Sequence, residues 1–243
     1  ISSLEGVFGL NELSYLSSVI FSIFIFISII NAFNLTDGID GLAGSIATLS
    51  STVFAIYFLI NGYNFLALIS FTLVGSLLGF LNFNLSKTRK IFMGDSGSLF
   101  LGYLLAYQAR SLLCINTLDS NVFVIKNTPI FILAIFSYPM VDTLRAFITR
   151  IANKKSPWTA DRNHIHHHII DLGLSHKQTT LLIAVMKISI VLITFLIANL
   201  EINFQLLILT IAALFIYTLP ILIGKYKKSA KNTTIEIDNT NEF

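Results

Sequence analysis

The sequence predicts an all-α polytopic membrane protein with about seven transmembrane helices. Three observations carry that expectation. Hydrophobic residues make up 54% of the 243 and charged residues only 12%, about half the charged share of a soluble domain. Charge is absent from Leu13 to Thr36, from Gly41 to Ser86 and from Ile202 to Gly224, and about 20 apolar residues suffice for a helix to cross hydrocarbon. The apolar runs are continuous rather than alternating, which argues against a barrel. Unpaired backbone groups are not tolerated in lipid, so each run reads as a helix.

The same numbers exclude a disordered chain, a secreted disulfide scaffold and an ordinary cytosolic enzyme. Mean hydropathy is +0.77. The single Cys114 has no internal partner, so no disulfide supports the fold. A net charge of +3 is too small to suggest nucleic acid.

The first span is read at 13–33. The next uncharged stretch, Gly41 to Ser86, is long enough for two. Asn61-Gly62-Tyr63-Asn64 is a turn signal and divides it into 41–60 and 64–83. Four more spans follow at 97–116, 128–147, 179–198 and 203–223. Residues 1–224 form one integral membrane domain, and 225–243 a polar tail.

Basic residues set the orientation. Lys87, Arg89 and Lys90 follow the third span. Arg145, Arg150, Lys154, Lys155, Arg162 and Lys177 lie in or beside the loop after the fifth, and Lys225, Lys227, Lys228 and Lys231 follow the seventh. With alternating spans all of these share one side, and only Lys126 and Arg110 belong to the other. The basic side is expected to be cytoplasmic. Lys187, inside the sixth span, is expected to snorkel or to face the protein interior.

Three polar segments fall at that face: NAFNLTDGIDGLAG (Asn31 to Gly44), FMGDSGS (Phe92 to Ser98) and SPWTADRNHIHHHIIDLG (Ser156 to Gly173). Asn31, Asn34 and Asp37 are three apart, so a helical end would align them. Their oxygens suit Mg²⁺ or Mn²⁺. A helix C-terminus followed by an N-cap explains one or two of these residues, but not four polar groups within ten residues between two apolar spans. Asp95 reads equally as a cap for the fourth span. Lys87, Arg89 and Lys90 either set topology or bring positive charge near a phosphate.

Four of the five His fall at 164, 166, 167 and 168, just after Asp161 and Arg162. Such a tract could bind Zn²⁺, although no Cys or HExxH pattern accompanies it. Alternatively, imidazoles and Arg162 hold phosphate oxygens. His176 reads as a solvated loop residue, and Asp142 with Arg145 as a structural ion pair.

On these three segments the chain, from about Val7 to Gly224, resembles the polyprenyl-phosphate N-acetylhexosamine-1-phosphate transferase superfamily, glycosyltransferase family 4. DRNHIHHH places it nearer the bacterial undecaprenyl-phosphate GlcNAc-1-phosphate transferases than the phospho-MurNAc-pentapeptide translocase branch. Family members have ten or eleven spans and an Asp-Asp motif in an earlier cytoplasmic loop. No adjacent Asp pair occurs here and the chain opens on Ile, so the resemblance implies that roughly four preceding spans are missing.

By the family pattern, Asn34 and Asp95 match the positions that hold a divalent metal, Mg²⁺ or Mn²⁺. Asp37 and Asp40 match carboxylates near the nucleotide, with Asn31 and Asn34 beside them. Asp40 and Phe92 match the positions that contact and stack on uracil. Gly38 and Gly41 let backbone approach. His166, His167 and His168, with His164 and Arg162, match the loop over the pyrophosphate. The implied catalytic set is Asp37, Asp40, Asp95, His166, His167 and His168. The implied reaction moves N-acetylhexosamine-1-phosphate from a UDP-sugar to undecaprenyl phosphate at the inner face of a bacterial cytoplasmic membrane, releasing UMP and starting a lipid-linked glycan. A homodimer is a further expectation. The reading from another class is an ion or solute transporter, which would carry its acidic and His residues near span centres.

Overall fold

The computed structural model describes all residues except Ser2, Thr117, Asp119, Ser120, 157–162 and 241–243, and only the backbone of Lys225 and of 227–240. The described residues form nine α-helices: α1 (Tyr15–Thr36), α2 (Leu42–Ile60), α3 (Asn64–Asn84), α4 (Gly94–Ile115), α5 (Thr128–Ile135), α6 (Ser137–Ala152), α7 (Ile165–Asp171), α8 (His176–Leu196) and α9 (Ile202–Thr240). Six of them, α1, α2, α3, α4, α8 and α9, are long and apolar enough to cross a membrane. The chain is a multi-span, all-helical membrane protein. The polar tail expected after residue 224 continues the α9 backbone to Thr240.

The fifth predicted span, 128–147, is not a straight crossing. It is a bent pair, α5 and α6, whose axes differ by 69°. Eight residues at 1.5 Å each make α5 only about 12 Å long, far short of the ~30 Å of a hydrocarbon core. Pro139 accounts for the break: a proline ring collides with the carbonyl four residues earlier, here Ile135, the last residue of α5. In the first turn of α6 its missing N–H has no helical partner to lose. Phe136, at the break, is buried among Phe33 of α1 and Phe54 of α2, with ring centroids 6.1 and 6.4 Å away. The bend is therefore part of the core.

Among lipid tails, apolar burial gives little drive for helix association, so close backbone approach and hydrogen bonds matter more. Gly102 provides such an approach between α1 and α4. A Cβ there would stand 2.8 Å from Ile30 Cα and 3.2 Å from its carbonyl oxygen. One turn onward along each antiparallel helix, Asn34 meets Ser98 with a 2.9 Å hydrogen bond.

α8 is fastened along α2 at successive levels. His176 reaches the Asp40 carboxylate at 3.1 Å, Thr180 donates to the Asp40 carbonyl at 3.1 Å, and the Lys187 ammonium donates to the Ile46 carbonyl at 2.9 Å and to Ser50 Oγ. Lys187 is 2% exposed. It faces the interior, where these two acceptors offset part of the cost of a charge at membrane depth.

The far end of the bundle is tied by Asn116. Its oxygen accepts from Tyr57 Oη and Ile125 N–H, and its nitrogen donates to the Ile125 carbonyl and Thr128 Oγ1, all within 2.9 Å. All four hydrogen-bonding positions of that amide are used, as expected of a buried structural group.

Candidate functional site

The opposite end gathers the polar segments. Residues 37–41 join α1 to α2, the first turn of α4 stands beside them, and α7 and the start of α8 close the other side.

Asn34, in the last turn of α1, donates to Asp95 Oδ1 at 3.3 Å as well as to Ser98 Oγ. α4 begins three residues earlier than the predicted span, so Asp95 lies inside its first turn, without a side-chain cap hydrogen bond at that helix start. Asp37 follows α1. Its own burial pushes its carboxyl above the usual range, and the nearby charges of Asp95 and Asp40 add to that. The charges of Asp95 and Asp40 thus both bear on the Asp37 carboxyl and disfavour its ionisation.

Asp40 is held differently. Partial burial pushes its carboxyl up, but hydrogen bonds from Lys90 at 2.7 Å and His176 at 3.1 Å outweigh it and hold it below the usual carboxylate range. Lys90 also stands 5.1 Å from the centroid of the Phe92 ring, which is 75% exposed. Asn84, near the end of α3, joins two of the segments. It accepts from Gly41 N–H at 2.6 Å and donates to the Ile91 carbonyl at 2.8 Å. Asn31 is exposed and bonds back to the Ile27 carbonyl of its own helix at 2.8 Å. No described hydrogen bond joins it to the other candidates.

The His tract opens α7. His164 Nδ1 and the Ile165 N–H each lie 2.7 Å from a different oxygen of Asp142, on α6. The His164 ring stacks on His166 (5.6 Å between centroids, 7° between planes), and His166 is 4.3 Å from the His167 ring. His166 is 1% exposed, and neither ring nitrogen has a hydrogen-bond partner among the described residues. It packs on Gly38: a Cβ there would stand 2.5 Å from His166 Nε2. Burial, partly countered by Asp142 and reinforced by the neighbouring imidazoles, pushes its pKa down to about 3, so His166 is neutral at physiological pH. His168 Nε2 meets Asn163 Oδ1 at 3.1 Å; burial, with the charge of Arg145, lowers its pKa as well. Arg162 lies outside the described residues.

His176 is solvent-exposed as expected, but it is the first residue of α8 rather than a loop residue, and it is bonded to Asp40. The Asp142–Arg145 ion pair is present at 3.9 Å, and Asp142 is in addition the partner of the His tract, at 2.7 Å. Ser98 lies inside the FMGDSGS segment but nothing there singles it out, and Asn84, an Asn ending an apolar run, carries no sequence signal.

Among the described residues, no three His, Cys, Asp or Glu side chains group as a metal cage. The donors near Asn34 are the oxygens of Asp95 and, close by, Asp37. That set resembles the hard, open type suited to Mg²⁺, which usually keeps water and takes one or two protein carboxylates with a phosphate. The Asn34 amide presents its nitrogen to Asp95, and turning it over would offer the oxygen instead.

The fold and site define a multi-span helical membrane protein that gathers Asp37, Asp40 and Asp95 at one end, beside Lys90 and the His tract. The family model for glycosyl transferase family 4 matches residues 1–113. The chain is 36% identical over 192 residues to a decaprenyl-phosphate N-acetylglucosaminephosphotransferase of Mycolicibacterium smegmatis, covering 73% of this chain and 47% of that one. It is 39% identical over 158 residues to a probable undecaprenyl-phosphate N-acetylglucosaminyl 1-phosphate transferase of Bacillus subtilis (65% and 42%), and 31% identical over 157 residues to the undecaprenyl-phosphate alpha-N-acetylglucosaminyl 1-phosphate transferase of Escherichia coli (63% and 41%). The chain belongs to glycosyl transferase family 4. It spans about half the length of the curated relatives it matches.

Proposed function

We propose that the protein transfers N-acetylhexosamine-1-phosphate, as GlcNAc-1-phosphate, from a UDP-sugar to undecaprenyl phosphate at the inner face of a bacterial cytoplasmic membrane. The observation that carries the reading is the convergence of Asn34, Asp37, Asp40, Asp95 and His166 at one end of the bundle, where a lipid-borne acceptor and a water-soluble donor can both arrive. The names of the relatives support the polyprenyl-phosphate acceptor and the sugar.

An oxygen of the lipid phosphate attacks the β-phosphorus of the UDP-sugar. A new phosphorus–oxygen bond forms, the bond to the bridging oxygen breaks, and UMP leaves with that oxygen. The acceptor phosphate is ionised at neutral pH, so the main barrier is crowding of negative charge. A Mg²⁺ or Mn²⁺ ion bound at Asn34 and Asp95 would supply the neutralising charge. The exposed ring of Phe92 offers a stacking face for uracil, a contact worth ~1–3 kcal/mol per base. Asp40, kept ionised by Lys90 and His176, accepts hydrogen bonds from the nucleotide. His166, neutral and buried against Gly38, seats the His tract beside the acidic turn, and an N–H from it reaches a phosphate oxygen only once that packing opens.

A transport reading gains little from Lys187. It is a lysine within a span, but its Nζ is bonded to the Ile46 carbonyl and Ser50 Oγ. The deciding experiment supplies full-length protein in membranes with UDP-GlcNAc, undecaprenyl phosphate and Mg²⁺ and measures UMP. Release that requires all three, and that Asp95→Asn abolishes while the protein still inserts, is expected. Release unaffected by Asp95→Asn would reject the site, and no release from the wild type would reject the reaction.

A further inference from the structure

We propose that Asp142 is a positioning residue for the reaction: from α6 it fixes His164 and the first turn of α7, so that His166 is held against Gly38 at the acidic turn. The inference rests on the function proposed above. Both carboxylate oxygens are committed to the tract, one to His164 Nδ1 and one to the Ile165 N–H, each at 2.7 Å. Asp142 is 2% exposed and His164 6%, so these bonds form away from competing water. His164 is the N-cap residue of α7 and makes no capping bond with its own side chain. The cap comes instead from another helix, 23 residues earlier in the chain.

Orientation then passes along the rings. His164 is parallel to His166 within 7°, and His166 has no hydrogen bond of its own among the described residues to hold it. Its direction is therefore set by packing between His164, His167 and Gly38. The bend at Phe136 matters here because it sets the axis of α6 at 69° to α5 and, with it, the placement of Asp142. A purely structural ion pair with Arg145 would not require either 2.7 Å bond.

The test compares Asp142→Ala and the isosteric Asp142→Asn with wild type in the full-length protein, using UDP-GlcNAc and undecaprenyl phosphate. With Asp142→Ala, kcat is expected to fall ~10–100-fold, the usual range for losing a group that orients a functional His. KM for UDP-GlcNAc is expected to stay within about threefold, because Asn34, Asp40 and Phe92 are untouched. Amide exchange at 165–168 is expected to quicken about tenfold or more, with 42–47 unchanged. His164→Ala should give a similar kcat loss, and adding Asp142→Ala to it should cost less than about twofold more. Should Asp142→Ala fail to fold, Asp142→Asn is read for the same kcat loss. A kcat within about twofold of wild type for the folded variants, unchanged exchange at 165–168, or losses that multiply in the double variant would overturn the proposal. Exchange needs no turnover, so a wild type that releases no UMP defeats the functional reading separately.

Discussion

Gly38 and His166 occupy each other's space: the missing side chain of one is filled by the imidazole of the other, with only 2.5 Å between an added Cβ and Nε2. The contact joins residues 128 positions apart and seats the His tract on the acidic turn.

Gly38→Ala should therefore destabilise the protein by overpacking, by ~1–3 kcal/mol. His166 is 1% exposed, stacked on His164 and against the tilted ring of His167, so it has little room to yield. In a His166→Ala background the same substitution should cost less than ~0.5 kcal/mol. Thermal unfolding of the four proteins in detergent checks this, and equal costs in both backgrounds would show that the contact carries no strain.

Gly102→Ala places a methyl 2.8 Å from backbone of α1, which cannot rotate away as a side chain can. It should part α1 from α4, lower stability by ~1–3 kcal/mol and break the Asn34–Ser98 bond. Asn34→Ala should then cost less in the Gly102→Ala protein than alone, by ~0.5 kcal/mol or more. Additive losses would indicate that the bond survives and that the close approach does not set its register.

His166 gives a pH signature. Its pKa is about 3 folded, against an ordinary 6.5. Above pH 6.5 it is neutral in both states and its contribution is fully present. Below that, the unfolded chain takes up a proton that the folded protein refuses, and stability falls until about pH 3. Between pH 7.5 and 5.0 the loss should be on the order of 2 kcal/mol. Comparing unfolding at the two pH values for wild type and His166→Asn checks it. A His166→Asn protein that loses as much as wild type would assign the acid sensitivity elsewhere.

Much of the fold was legible in the sequence. The second and third spans, read at 41–60 and 64–83, are α2 and α3 within a residue or two, because a long uncharged run with one turn signal leaves few ways to cross a bilayer. The break at Phe136 was not legible, since proline is tolerated in membrane helices and 128–147 reads as one run. The three polar segments were also apparent, because acidic and His clusters between apolar spans are costly without a role. Their fastenings were hidden. Asp142 finds His164, Asn84 finds Gly41, and Asp40 finds His176 only through helix packing across 22, 43 and 136 positions, and no local pattern records such a partner.

The stitching of α8 to α2 has a mechanical consequence. His176 and Thr180 hold Asp40, and Lys187 is anchored deeper at Ile46 and Ser50, so α8 is tied both at the polar end and at membrane depth. A displacement of α8 would strain bonds at both levels together.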